Sequence, residues 1–179
     1  MISDNGLWNT GYIQVYTGNG KGKTTAAFGL AMRAAGAGLK VFIAQFVKGM
    51  KYSETQAFER FSDLITVRQY GRGCFIRNAP AQEDTRAASV GLEEVRRVLC
   101  SGQYKVVILD EANIATHFEL FSVGDLLALI DLKPPGVELV ITGRNVDPRV
   151  IDRADLVTEM MEVKHYYTRG VEARKGIER

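Results

Sequence analysis

Cysteine is almost absent from this chain. Cys74 and Cys100 are its only two, too few for a disulfide framework and without metal-ligand spacing, which fits a reducing compartment. Charge of one sign is lacking as well. Lys+Arg 23 against Asp+Glu 21 leave a net charge of +2, so no nucleic-acid partner is expected. No apolar run approaches the ~20 residues that cross a bilayer, and no membrane partner is expected. The opening MISDNGLWNTG has neither the basic start nor the apolar stretch of a signal peptide, so the chain reads as cytoplasmic. Internal repeats, low-complexity tracts and linkers are missing, which argues for one domain.

What is present is the composition of an ordinary globular protein: 179 residues, 46% hydrophobic and 25% charged. Residues 1–11 read as a short polar arm and residues 12–179 as a single domain. Trp8 is the one large apolar side chain of the arm, able to fold back onto its own domain or to anchor on a neighbouring surface.

The chain is organised around YTGNGKGKTTAAFGLA, beginning at Tyr16. An apolar run over residues 12–17 enters it as a strand. Gly18, Gly20 and Gly22 alternate with Asn19 and Lys21, and Lys23, Thr24 and Thr25 open an Ala-rich helix. A strand ending in glycines, followed by a Lys-Thr pair at a helix start, describes a phosphate cradle. Backbone N–H groups converge there, lysine adds charge and a threonine hydroxyl can hold Mg²⁺. The spacing departs from G-x-x-x-x-G-K-[ST]: the first glycine falls at Gly18, while the expected position is Thr17.

Further along, residues 39–46 (LKVFIAQF) form a continuous apolar strand of the buried parallel kind, with Gln45 at its end. Short elements are expected over residues 53–61 (helix) and 64–69 (strand). The irregular, glycine-containing stretch 69–85 follows. A helix then runs from Asp84 or Thr85 to Cys100, with Leu92, Val95, Val98 and Leu99 on its inner face. Residues 104–109 (YKVVIL) deliver Asp110 and Glu111 to a strand end, where acidic residues hold Mg²⁺ in phosphate-loop sites. Residues 113–119 read as a polar connection, 120–132 as a helix and 137–142 as a strand. Arg144 lies just past that strand end, well placed for a phosphate. Residues 155–163 make a sixth strand and a polar, basic tail follows. Arg33 closes the first helix, either as a solvated terminal charge or as a guanidinium turned toward phosphates.

Strand–helix alternation with these parts predicts an α/β fold: a mostly parallel, about six-stranded sheet flanked by helices, of the P-loop (RecA-like) class. Such a fold leaves the reaction open. A RecA-like ATPase, a small-molecule kinase and a non-enzymatic nucleotide-binding regulator all remain. The guanine-reading N-K-x-D motif and the protein-kinase signature set are absent.

The runs VYTGNGKGKTTAAFGLAMRAAG, AQFVKG, ILDEAN, ITGR and ADLVTEM and a KH…G…A…GIE tail come in one order. In that order, and in the short glycine spacing, the chain from Gly11 on resembles the P-loop ATP:corrinoid (cob(I)alamin) adenosyltransferases. The resemblance implies transfer of the 5′-deoxyadenosyl group of ATP to Co(I) of a corrinoid, with release of triphosphate, in adenosylcobalamin biosynthesis or salvage. It implies an ATP lying reversed relative to other P-loop proteins, which would account for the late glycine. The corrinoid could be cobalamin, cobinamide or cobyrinic acid a,c-diamide.

By position, the resemblance places Asn19, Gly20, Lys21, Gly22, Lys23, Thr24 and Thr25 around the triphosphate. Lys23, Arg33 and Arg144 become the catalytic cations. Thr24 and Glu111, supported by Asp110, become the ligands of Mg²⁺ (or Mn²⁺). The stretch from Gly71 to Arg77, with Phe75 and Ile76, would line the corrinoid pocket. Where some relatives carry Phe-Thr-Trp, this chain has Cys74-Phe75-Ile76. The arm is also shorter than theirs. A homodimer and a flavoprotein reductant are the further partners implied.

Overall fold

A computed structural model of the chain describes residues 8–47, 49–50, 52–72 and 80–178. Six strands form one sheet, in which every pairing is parallel. They are β1 (Ile13–Thr17), β2 (Val41–Phe46), β3 (Ile65–Tyr70), β4 (Val106–Asp110), β5 (Glu138–Thr142) and β6 (Leu156–Glu159). Their order across the sheet is β3-β2-β4-β5-β1-β6. The helices are α1 (Lys23–Gly36), α2 (Ser53–Phe58), α3 (Gln82–Cys100), α4 (Ala112–His117), α5 (Val123–Leu132) and α6 (Pro148–Ile151).

The period-two alternation of a strand divides the core between the two faces of the sheet. On β2, Phe42, Ala44 and Phe46 pack with α3, α4 and α5, while Val41 and Ile43 pack with Phe28 and Ala31 of α1. β4 repeats the pattern, with Val107 and Leu109 on one face and Val106 and Ile108 on the other. A strand sandwiched in this way reads as an unbroken apolar run, as β2 and β4 do. Trp8 packs against the α1 face, with the Lys105 ammonium 5.4 Å from its ring centroid.

The expected elements recur with shifts of a residue or two at most ends, and two differ more. Residues 113–119 are not a polar connection. They fall largely in α4, whose Ala112, Asn113, Ala115 and Thr116 are buried. Two of its polar side chains bond inside the fold: Thr116 Oγ1 donates to Asn113 O (2.8 Å), and Asn113 Nδ2 donates to Gly143 O (3.3 Å), while Asn113 Oδ1 is buried without a hydrogen-bond partner among the described residues. β6 is shorter than expected, because the chain leaves the sheet after Glu159 and Met160 turns under the glycine-rich loop.

Gly91 of α3 lies where a larger residue has no room. A Cβ there would approach the Tyr70 ring to 2.6 Å and the Phe46 ring to 2.8 Å. Alanine would gain roughly 1 kcal/mol in helix propensity. Overpacking a filled core typically costs about 1–3 kcal/mol, and both rings are buried, so the clash outweighs the gain. Gly91→Ala should therefore lower the urea midpoint; an unchanged or raised midpoint would show that the two rings give way freely.

Candidate active site

The C-terminal ends of β1, β2, β4 and β5 meet at one edge of the sheet, where open α/β folds bind ligands. β1 leads into the glycine-rich loop and α1. Gly18 and Gly22 have φ of 92° and 124°, left-handed values that glycine adopts without penalty. The loop is also pressed against the turn after β6. Gly20 N donates to Met160 O (2.6 Å) and Met160 N donates to Thr17 O (2.9 Å). A Cβ at Gly18 would come within 2.5 Å of Met160 O, and one at Gly20 within 2.7 Å. The late first glycine thus has a steric cause: the backbone after β6 lies against it.

Lys23 folds back over this loop. Its ammonium is nearly buried and donates to Gly18 O (2.7 Å) and Gly20 O (2.8 Å), so it is held at the centre of the turn. Lys21 points elsewhere. It donates to Glu178 Oε1 (2.8 Å), Ile177 O (3.0 Å) and Tyr166 Oη (3.1 Å) in the C-terminal segment. Asn19 is exposed at the loop tip, and Thr25 is exposed at the rim of the cleft.

β4 supplies the acidic centre. Asp110 is fully buried, and its carboxyl oxygens accept from Thr24 Oγ1 (2.8 Å), Thr142 Oγ1 (2.8 Å) and Gln45 Nε2 (3.0 Å). Three strand ends and the start of α1 are thereby tied to one group. Gln69 extends the network, donating to Gln45 Oε1 (3.0 Å). Glu111 follows in a left-handed conformation (φ 61°), with its amide donating to Thr142 Oγ1 (3.0 Å). This turn carries the Glu111 residue into the cleft while Asp110 stays inside.

The cleft has a volume of about 890 Å³. Its floor is the loop with Lys23 and Thr24, and Glu111 and Arg144 flank it. Val47, Phe28, Ile114 and Phe118 give it an apolar wall, and His165, Ile177 and Glu178 bring the C-terminal segment to its border. The structure brings Gly20, Lys21, Gly22, Lys23, Thr24, Thr25, Glu111 and Arg144 to one cavity, with Asp110 behind them. Arg33 is not among them. It is exposed in the last turn of α1, ten residues from Lys23, or roughly 15 Å at 1.5 Å per residue. There its charge complements the helix C-terminus. Phe75 and Ile76 lie outside the described residues. Thr142 and Glu178 had no role assigned from sequence. A threonine ending β5 one residue before Gly143 was a signal for the first, and the second is the glutamate of the GIE run in the tail, whose partner Lys21 lies 157 residues away.

Among the described residues no three His, Cys, Asp or Glu side chains cluster as a metal site, and no helix is long and apolar enough to cross a membrane.

An all-parallel sheet with a glycine-rich turn opening α1, and a strand-end carboxyl bonded to the first threonine of that helix, is the arrangement of the P-loop class. Comparison with known proteins narrows the class. Residues 9–179 match the family model described as ATP:corrinoid adenosyltransferase BtuR/CobO/CobP. The chain is 37% identical to a corrinoid adenosyltransferase of Pseudomonas aeruginosa, over 94% of this chain and 83% of that one. It is 35% identical to the corrinoid adenosyltransferase CobA of Salmonella typhimurium, over 94% and 85% of the two chains. The Escherichia coli K12 corrinoid adenosyltransferase is 34% identical over the same shares. The chain belongs to the ATP:corrinoid adenosyltransferase family.

Thr142 is the shared contact of the acidic turn, since its hydroxyl reaches Asp110 and receives the Glu111 amide. Thr142→Val keeps the shape and removes both bonds. It should cost about 1–3 kcal/mol in urea unfolding, with Thr142→Ser restoring most of the loss. Equal stability of all three proteins would show that the hydroxyl contributes nothing there.

Proposed function

We propose that this chain is an ATP:corrinoid adenosyltransferase, moving the 5′-deoxyadenosyl group of ATP onto Co(I) of a corrinoid. The observation that carries the reading is the pairing of a Lys23-centred glycine loop with family membership over nearly the whole chain. The Co(I) electron pair attacks C5′, a Co–C bond forms and the C5′–O bond breaks. Its electron pair leaves on the triphosphate, and cobalt becomes formally Co(III). Co(I) is a strong nucleophile, so the protein needs no general base. Its work is to position C5′ against cobalt, neutralise the leaving group and exclude water.

The loop amides of Gly20, Gly22, Lys23 and Thr24 and the Lys23 ammonium receive the triphosphate, with Arg144 at the rim. A phosphate oxygen would take over the ammonium from the carbonyls of Gly18 and Gly20. Asn19 and Thr25 complete the outer edge. Arg33 has a part only if phosphate charge reaches the far end of α1.

A divalent cation fits the donor set, which is oxygen throughout: the Thr24 hydroxyl lies 2.8 Å from Asp110 Oδ1, and Glu111 borders the same cleft. Thr24 and Glu111 would hold Mg²⁺ (or Mn²⁺), with Asp110 behind them. The ion would supply positive charge to the phosphate oxygens. The rest of the reading is a cytoplasmic homodimer supplied with Co(I) by a flavoprotein reductant. Cobalamin, cobinamide or cobyrinic acid a,c-diamide enters beside Phe75 and Ile76.

Incubation with Mg-ATP and a chemically reduced corrinoid should give the light-sensitive absorbance of a cobalt–carbon bond. Turnover of ATP to ADP without that product would favour the ATPase or kinase alternative, and binding without turnover a regulator. Lys23→Ala should lower transfer by at least about a hundredfold, the scale of losing a transition-state charge partner, with the fold retained. Near-normal rates in that variant would remove the loop from the triphosphate site. Glu111→Ala should shift the Mg²⁺ titration of activity to higher concentration, and an unmoved titration would count against Glu111 as a ligand.

A further inference from the structure

The C-terminal segment is placed where its own packing gives little reason for it to stay. Val163, Tyr167 and Ile177 are 93%, 75% and 56% exposed, so apolar burial contributes little to holding the segment down. After the 3-10 turn Tyr166–Arg169, the chain reverses at Gly170 and again near Gly176, both at φ 78°. That path returns Ile177 and Glu178 to the glycine-rich loop.

The contact made there is a polar knot. Glu178 accepts from Lys21 Nζ, from the Tyr166 hydroxyl and from the Arg174 amide (2.8 Å). The Arg174 guanidinium sits 3.3 Å from Glu178 Oε1 and 5.1 Å from the centre of the Tyr166 ring. The Lys21 ammonium, then the Tyr166 hydroxyl and the Arg174 amide, hold the Glu178 carboxyl well below the usual carboxylate range. The Glu178 side chain is only 16% exposed in this pair.

We propose that Glu178 is a positioning residue for the nucleotide: through Lys21 it fastens the C-terminal segment across the glycine-rich loop as one wall of the cleft. Lys21 is the anchor of that wall, and Lys23 alone of the two loop lysines serves the phosphates. The ammonium of Lys23 lies over the loop carbonyls, whereas that of Lys21 is turned to the tail. The inference rests on the reading of the cleft as the ATP site. A wall that closes over bound nucleotide contributes equally to ground and transition states, so its loss appears in KM more than in kcat.

The test is a double-mutant cycle on the full chain, using Lys21→Ala, Glu178→Ala and the double variant. Two readouts are needed: the Kd for Mg-ATP by equilibrium dialysis, and KM and kcat for transfer. Each single change should raise Kd and KM for ATP by roughly five- to tenfold, the scale of one charge-assisted hydrogen bond at a partly exposed site. The double variant should be no worse than either single one, and kcat should hold within about twofold. Tryptic cleavage after Arg169 and Arg174 should quicken equally in all three variants, and Glu178→Gln should recover part of the loss.

A Lys21→Ala defect far larger than that of Glu178→Ala, with effects that multiply in the double variant, would make Lys21 a phosphate ligand and overturn the proposal. A silent Glu178→Ala would overturn it too. ATP binding without Co–C bond formation would remove the transferase reading and leave the cycle readable through Kd. Wild-type protein that binds no ATP would remove both.

Discussion

The buried carboxyl of Asp110 is the constraint on which the rest of the site depends. A polar group carried to the end of a fully buried strand must find donors, or its desolvation would be prohibitive. Thr24, Gln45 and Thr142 supply them from α1, β2 and β5. The same bonds set the distance between α1 and the strand that delivers Glu111. The acidic turn is therefore held by the sheet, and the phosphate loop is held by the acidic turn. Preorganisation of this kind lets charges be met without rearrangement when they arrive.

The glycine-rich loop answers to a second constraint, from the other side. The Met160 backbone packs against Gly18 and Gly20, and the Met160 peptide bonds to both Thr17 and Gly20. Loop shape and the exit of β6 are thus one design. The displaced glycine first stands out as a misfit to the general G-x-x-x-x-G-K-[ST] pattern. The packing against Met160 supplies a steric reason within this chain.

Much of this was legible in the sequence, for physical reasons. Apolar runs such as VFIAQF and VVILD could be read as buried parallel strands because both their faces are covered. Asp110 and Glu111 stood out because carboxylates at the end of such a run need a purpose. The glycine, lysine and threonine spacing marked the cradle. What could not be read depends on long-range pairing. The strand order, with β5 between β4 and β1, follows from contacts that no local pattern encodes. The direction of Lys21 is set by Glu178, 157 residues later in the chain. α4 was missed because Asn113 and Thr116 look solvated in sequence, yet both are buried and donate to backbone carbonyls inside the fold. Arg33 matched the family by position, but its place at the far end of α1 is a property of helix length alone.

The central claim is that the loop grips a triphosphate that leaves whole. It is tested most directly with ATP carrying ¹⁸O at the oxygen bridging C5′ and the α-phosphorus, followed through one turnover with Co(I) corrinoid. Cleavage of the C5′–O bond predicts one labelled triphosphate for each Co–C bond formed. ADP that retains the label, with free phosphate and no Co–C bond, would contradict the account.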